Sequence, residues 1–430
     1  MRISKTLVPV ALAALLAACS NEEEIANYSS NTAILDEGNV EIKLSTGGPN
    51  RLTRSLGAIE SDNQGLFDVD SMGIFMLATN ETKINKEAKP LVWNAEVNPW
   101  AVWMDNVDAN AVTDAGGTRT EIRWRDGQDR WYPIGNWYSY RFYGYHPTKG
   151  AQLISTNKRR TIRWNNLDGM HDIIYGRSKG AIETDEYEKY RYSARYFRQR
   201  KVDEITGDVV KNFSDSIPTL QMEHKLMRLQ FCIVGLPDSN MVGREFESAN
   251  NMMVDTIQIT HVPTSAELII ADFDDNTQDG KITFDWTNAT ANDFIDVKDM
   301  NFGLLSASDS INTFNTTYNR YEGRRVHNND TVYVGQSILM PVPDEAATTS
   351  GHTSFQVNVM LRNTDGIAFP AEQPMDLQLK NYAAFKSGYT YRVILNIAGP
   401  RLVTLRAVLE PWKNAWEDEN EQGFESLIFN

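Results

Sequence analysis

Two cysteines, six histidines and 57 acidic side chains are the groups in this 430-residue chain best suited to chemistry. Their spacing gives little support to catalysis. The histidines form no H-E-x-x-H or H-x-H pairing, which excludes the zinc-protease and zinc-finger patterns. Gly176-Arg177-Ser178-Lys179-Gly180 matches G-x-S-x-G and follows a strand-like Asp172-Ile173-Ile174-Tyr175. A nucleophile elbow also needs a following helix and an α/β sheet that brings Asp and His to the serine. Neither pattern is present, so a turn after a strand is expected. Asp272-Phe273-Asp274-Asp275-Asn276 through Asp279-Gly280 is oxygen-rich in the manner of a calcium loop. An EF-hand requires Gly at position six and Glu at position twelve, where this chain has Thr277 and Thr283. A polar hairpin loop is expected instead. No spacing singles out a carboxylate pair. The expectation is therefore no catalytic residue, no metal site and no cofactor.

The two cysteines, Cys19 and Cys232, cannot build a disulfide framework. Arg2 and Lys5 precede an uncharged apolar run over residues 7–18, shorter than the roughly 20 residues a membrane span needs but suited to a secretory signal. The run ends in Leu16-Ala17-Ala18-Cys19, which resembles a bacterial lipobox. That resemblance implies removal of residues 1–18 as a signal peptide and attachment of diacylglycerol and a palmitate-type acyl chain to Cys19. Glu22-Glu23-Glu24 then reads as an acidic tether, similar to the surface-export signals of some Gram-negative lipoproteins. The expectation is a chain anchored by lipid to the outer membrane without spanning it. Cys232, within Leu229-Gln230-Phe231-Cys232-Ile233-Val234, reads as a small buried hydrophobe.

Acids outnumber bases 57 to 42, giving a net charge of −15. Such a surface repels phosphate backbones, so no nucleic-acid partner is expected. A hydrophobic fraction of 41% with 23% charged residues is ample for ordinary cores.

Positioning is the work of strands. Period-two alternation recurs over residues 40–44, 137–145, 226–234, 254–260, 331–342, 354–361, 389–397 and 402–409, and residues 72–77 form a continuous apolar run. Shorter strand candidates lie at 266–271 and 281–286. Asp126-Gly127, Asp279-Gly280 and Asp365-Gly366 punctuate them as hairpin-type turns. The fold class is all-β, built from sandwiches. A boundary near residue 215 divides an aromatic-rich half, 55–215, from a second half, 216–430, in which the later strands close a second sandwich. The aromatics of 124–145 (Trp131, Tyr132, Trp137, Tyr138, Tyr140, Tyr143 and Tyr145) suit either a carbohydrate platform or a core, and alternation favours the core. Residues 189–201 interleave arginines with aromatics and read as a strand pair with one basic face.

Seven segments in order resemble the fimbrillin family, the major and minor subunits of type V pili (the Mfa-like lipoproteins). They are the lipobox at Cys19, the basic loop Arg51-Leu52-Thr53-Arg54-Ser55 after the 40–44 strand, and the strand through Met72-Gly73-Ile74-Phe75. Phe142-Tyr143-Gly144-Tyr145-His146-Pro147 and His171-Asp172-Ile173-Ile174-Tyr175-Gly176 follow. Met222-Glu223-His224-Lys225-Leu226 comes next, and Gly388-Tyr389-Thr390-Tyr391 with Glu410-Pro411-Trp412 completes the series. Residues 105–123 and 187–212 depart from the pattern as long inserts and read as surface loops.

The resemblance implies two tandem transthyretin-like β-sandwich domains, outer-membrane transport as a lipoprotein, and assembly into a fimbrium that mediates cell adhesion without catalysis. Its partners would be other fimbrial subunits and ligands on host or bacterial surfaces. Residues 19–54 would form a lipidated tether, first strand and cleavage loop. An arginine-specific protease would cut after Arg51 or Arg54, in a Gly47-Gly48-Pro49-Asn50 loop of exposed character. Release of the first strand would leave an unpaired sheet edge for another strand to fill. The donor candidate is the C-terminal tail, with apolar Phe424, Leu427, Ile428 and Phe429 behind an acidic tether. The alternatives are a lipid-retaining fimbrial anchor and a surface glycan-binding lipoprotein of a nutrient-uptake system.

Overall fold

A computed structural model describes residues 40–47, 69–79, 82–84, 87–89, 91–113, 120–134, 138–178, 192–194, 197, 200–202, 209–212, 217–235, 252–297, 314–315, 320–321, 331–343, 355–363, 367–370, 375–376, 385–397, 403–411 and 426–427. Regular structure among these residues is nearly all strand, as the alternation predicts.

Seven strands close a barrel in the order Ser45–Gly47, Thr219–His224, Ile174–Ser178, Tyr140–His146, Val69–Ala78, Val102–Thr113, Thr120–Trp124. The apolar run of Val69–Ala78 lies centrally and is buried on both faces from Met72 to Ala78. Gly73 is required there. A Cβ would strike the Tyr145 ring and the Asn106 side chain, whose Oδ1 accepts from the Tyr145 hydroxyl at 2.8 Å. Tyr138, Tyr140, Phe142, Tyr143 and Tyr145 are all buried, so the aromatic stretch is mainly core, as alternation favours. Tyr192 and Phe197 join that core, stacked on one another with centroids 6.3 Å apart. Trp137 lies outside the described residues.

Residues 105–123 are not a surface insert. They supply most of Val102–Thr113 and the start of Thr120–Trp124, two staves of the barrel. The alternation is hidden because Ala109 and Ala111 carry little hydrophobic contrast at the inward positions. Pairing with Val69–Ala78 also shifts register on either side of Asn106, which has a φ of 62°.

A four-stranded sheet, ordered Ile282–Phe284, Ala266–Asp272, Arg159–Trp164, Gln152–Ser155, shares the barrel's core through Ile162, Trp164, Leu268 and Ile270. Its first two strands come from segments that alternation alone assigns to the second sandwich. They pair instead with Arg159–Trp164, bringing Ala266 opposite Trp164.

The second unit is a sandwich. One sheet runs Thr331–Met340, Met227–Gly235, Tyr389–Ile397, Val403–Pro411, Ser426–Leu427. The other runs Phe294–Asp296, Met252–Thr260, Gln356–Asn363, Ala368–Pro370. Leu229, Phe231, Val393 and Leu395 of the first meet Ile257, Ile259, Val357 and Val359 of the second in a separate core. Cys232 is fully buried and outside any disulfide. The chain changes core between Leu226 and Met227.

Candidate functional site: the groove that holds the N-terminal strand

Residues 40–47 run as an extended segment held along both edges. On one side the Ile42 amide donates to the Arg130 carbonyl at 2.7 Å, and the Tyr132 amide donates to the Val40 carbonyl at 2.9 Å. The Ile122 amide reaches the Leu44 carbonyl at 3.0 Å, and Ser45 and Thr46 pair antiparallel with Glu121 and Thr120. On the other side Ser45–Gly47 lies parallel to Thr219, Leu220 and Gln221, with the Ser45 amide donating to the Pro218 carbonyl at 3.0 Å. The expected 40–44 strand is thus extended and hydrogen-bonded, and the regular ladder begins at Ser45.

Alternation explains the burial. Ile42 and Leu44 point inward at 2% exposure, while Glu41 and Lys43 point out and pair at 3.2 Å. Each of the two aliphatic side chains contributes about 1.5–3 kcal/mol through burial, and the surface ion pair adds little. This one short segment closes the barrel between Thr120–Trp124 and Thr219–His224. Beside it lies a cleft of about 440 Å3, lined by Glu41, Lys43, Glu121, Trp124, Gln128 and Ile217 among others. Taking the segment away would leave a slot shaped for two aliphatic side chains, flanked by unpaired backbone N–H and C=O groups.

Of the residues singled out in the sequence, Cys19, Arg51, Arg54, Phe424, Ile428 and Phe429 lie outside the described residues. Leu427 falls in Ser426–Leu427, whose backbone pairs with Val403–Pro411 of the same chain, Leu427 opposite Ala407. Ser178, the centre of the G-x-S-x-G match, ends a barrel strand and is buried, its Oγ accepting from the Phe142 amide at 3.0 Å. Its hydroxyl is thus engaged inside the barrel, and the residues that follow it lie outside the described residues.

The calcium-like loop spends its carboxylates on the protein. Asp272 pairs with Arg159 and accepts from the Asp274 and Asp275 amides. Asp274 takes Lys158 at 2.6 Å, and Asp275 caps the turn at Asn276–Gln278. Asp279 is buried between Arg141 at 3.6 Å and Arg177 at 3.4 Å. Burial pushes its carboxyl up to about 6, against the pull of the Asp272 amide and the two guanidiniums. Gly280, with a φ of 77°, lets the turn pass over the Tyr175 ring. The loop is therefore a clamp between the four-stranded sheet and the barrel, a role the sequence pattern concealed. Among the described residues no group of three or more His, Cys, Asp or Glu side chains is placed to hold a metal.

Sequence reasoning also missed the buried pair of Asp172 and His224, carboxylate to Nδ1 at 2.5 Å, close to the point where the chain changes core. Trp103 and Trp131, by contrast, are 38% and 42% exposed, and the Trp103 indole N–H donates to the Trp131 carbonyl at 2.7 Å.

No protein-family model matches the chain, and no curated protein matches it. Solved structures do. A fimbrial protein from Bacteroides vulgatus ATCC 8482 aligns at 14% identity over 80% of this chain and 93% of its own, with a TM-score of 0.41. The fimbrial anchor protein Mfa2 from Porphyromonas gingivalis aligns at 10% identity over 87% of this chain and 98% of its own, with a TM-score of 0.30. The structural neighbours of this chain thus include fimbrial proteins that align over most of its length.

Proposed function

We propose that this protein is a structural subunit of a surface fimbrium, made as an outer-membrane lipoprotein and polymerised by strand exchange to serve cell adhesion. The observation that carries the reading is the 40–47 segment, bonded along both edges and buried through Ile42 and Leu44. It is joined to the next barrel strand, Val69–Ala78, through a stretch containing Arg51 and Arg54. Cleavage there turns a covalent strand into a removable one. Lipid on Cys19 holds the precursor at the outer membrane until the cut is made. An apolar strand then replaces it, and Phe424, Leu427, Ile428 and Phe429 are the candidate donor residues, although Ser426 interrupts their alternation. The two units are read as transthyretin-like sandwiches in tandem, the first closed into a barrel by the resident strand.

The test is the gel behaviour of protein shed from cells. Ladders that survive detergent without boiling and collapse on boiling are the expected result, and a single monomer band under both conditions would overturn the reading. A surface glycan-binding lipoprotein is the second reading, favoured by the exposed pair Trp103 and Trp131. It predicts the monomer band together with retention of polysaccharide on an affinity gel.

A further inference from the structure

A second cavity, of about 270 Å3, lies where the end of the barrel strand Tyr140–His146 meets the four-stranded sheet. It shares no lining residue with the groove that holds residues 40–47. Its apolar lining is Pro147, Trp164, Leu167 and Ile173, all buried. The Trp164 ring is fixed in place, since its indole N–H donates to the Pro147 carbonyl at 3.2 Å and its edge packs on Tyr145 at 5.8 Å.

The polar lining divides into two kinds. Asp168 and His171 are committed to each other at 2.8 Å, and Asp168 also accepts from the Met170 and His171 amides. Lys149, Gln152, Asn165 and Asn166 are exposed. Among the described residues their side chains have no hydrogen-bond or ion-pair partner. Three amides and one ammonium, uncommitted, therefore surround an apolar base.

We propose that this cavity binds a neutral glycan unit, one pyranose ring at a time. An amide head carries a donor and an acceptor side by side, which matches a pair of neighbouring hydroxyls that can each donate and accept. The apolar residues form the floor of the cavity, with only the rims of Trp164 (3% exposed) and Leu167 (9%) reaching it, and an apolar floor with a few convergent polar groups is the usual make-up of a small-ligand site. The size agrees, falling just under the ~300 Å3 at which drug-sized pockets begin. Asp168 is taken by His171, so Lys149 is the one uncommitted charge among the three amides, and the charged comparison in the test below reads its weight. Gln152 opens the edge strand Gln152–Ser155, whose four residues are all exposed, leaving room for a longer glycan to continue outward. The site does not depend on polymerisation.

Saturation-transfer NMR on the full chain tests it, with the methyl glycosides of glucose, galactose, mannose and N-acetylglucosamine as probes and glucuronate as the charged comparison. At least one neutral glycoside should receive saturation, with affinity in the millimolar range. The double variant Asn165→Ala/Asn166→Ala and the single variant Gln152→Ala should each weaken it about tenfold or more. Both act on exposed positions, and an unchanged circular dichroism spectrum and thermal midpoint would confirm an intact fold. Transfer to none of the neutral glycosides overturns the proposal, as does transfer that survives the double variant. Preferred binding of glucuronate that is lost in Lys149→Ala would make the cavity an anion site and overturn it equally. None of these outcomes bears on the detergent-resistant ladders, so the fimbrial reading stands or falls separately.

Discussion

Ser45 and Thr219 face each other hydroxyl to hydroxyl at 2.7 Å, although 174 positions separate them in the chain. The contact ties the N-terminal strand to the barrel strand Thr219–His224, after which the chain passes directly into the second unit. The strand proposed to be exchanged is therefore bound next to the junction of the two cores. Its loss would be felt on both the Thr120–Trp124 side and the Thr219–His224 side.

Leu44→Ala should destabilise the first unit by about 2–5 kcal/mol, the usual cost of truncating a buried leucine with incomplete collapse around it. Leu44 is 2% exposed and its carbonyl accepts from Ile122. Urea denaturation of the uncleaved chain is the measurement. An unchanged midpoint would mean that the segment contributes nothing to closing the barrel.

Cys19→Ser should leave residues 1–18 attached or the protein mislocalised, because the sulfur proposed to accept lipid is gone. Mass spectrometry of the membrane fraction decides the matter. A variant that reaches the outer membrane with the same mass as the native protein would remove lipid from the account.

Arg51→Gln combined with Arg54→Gln should abolish processing and polymerisation together while leaving the monomer folded. In the native filament, N-terminal sequencing should begin at Leu52 or Ser55, with Ser55 preferred because it opens the segment leading into the barrel. A filament starting at Cys19 would instead point to an anchor that keeps its lipid.

Truncation after Glu421 removes Ser426–Leu427, which pairs with the edge of Val403–Pro411 through only two residue pairs. The monomer should keep its thermal midpoint within a few degrees and lose the ability to form ladders. Ladders that persist, or a monomer that unfolds, would assign the tail to its own sandwich.

Two buried groups pull stability in opposite directions with pH. Burial raises Asp279 from its ordinary 3.8 to about 6. Its contribution is thus full below about 3.8 and lost as pH rises through about 6. Burial lowers His146 from its ordinary 6.5, with its Nδ1 2.7 Å from the Ser71 carbonyl oxygen. Its contribution is present above 6.5 and is lost as pH falls below that value. Asp279→Asn should remove the rise in stability on acidification between pH 6 and 4, and His146→Gln the fall that starts below 6.5. Urea midpoints across pH 4–8 for the two variants and the parent would show whether the slopes separate.

Several features are sequence properties and needed no fold. The apolar run ending at Cys19, the acidic balance and the position of Arg51 and Arg54 belong to this class. The all-β class and the inward facing of Ile42 and Leu44 follow from period-two alternation, which is local and therefore legible. Gly280, with a φ of 77°, is legible for the same reason, since a hairpin turn of this type demands a residue free to adopt positive φ. Tertiary structure decided which strands lie side by side. Alternation states which side chains face inward but carries no information about the neighbouring strand, because any two extended backbones can pair. Ala266–Asp272 could therefore join Arg159–Trp164 across the chain rather than its sequence neighbours. Val102–Thr113 stayed hidden because its inward alanines bury too little surface to mark a face. The cavity lined by Trp164, Gln152 and Asn166, and the clamp of Asp279 between Arg141 and Arg177, exist only once distant strands meet. Convergence of uncommitted polar groups is a relation in space, and spacing along the chain does not encode it.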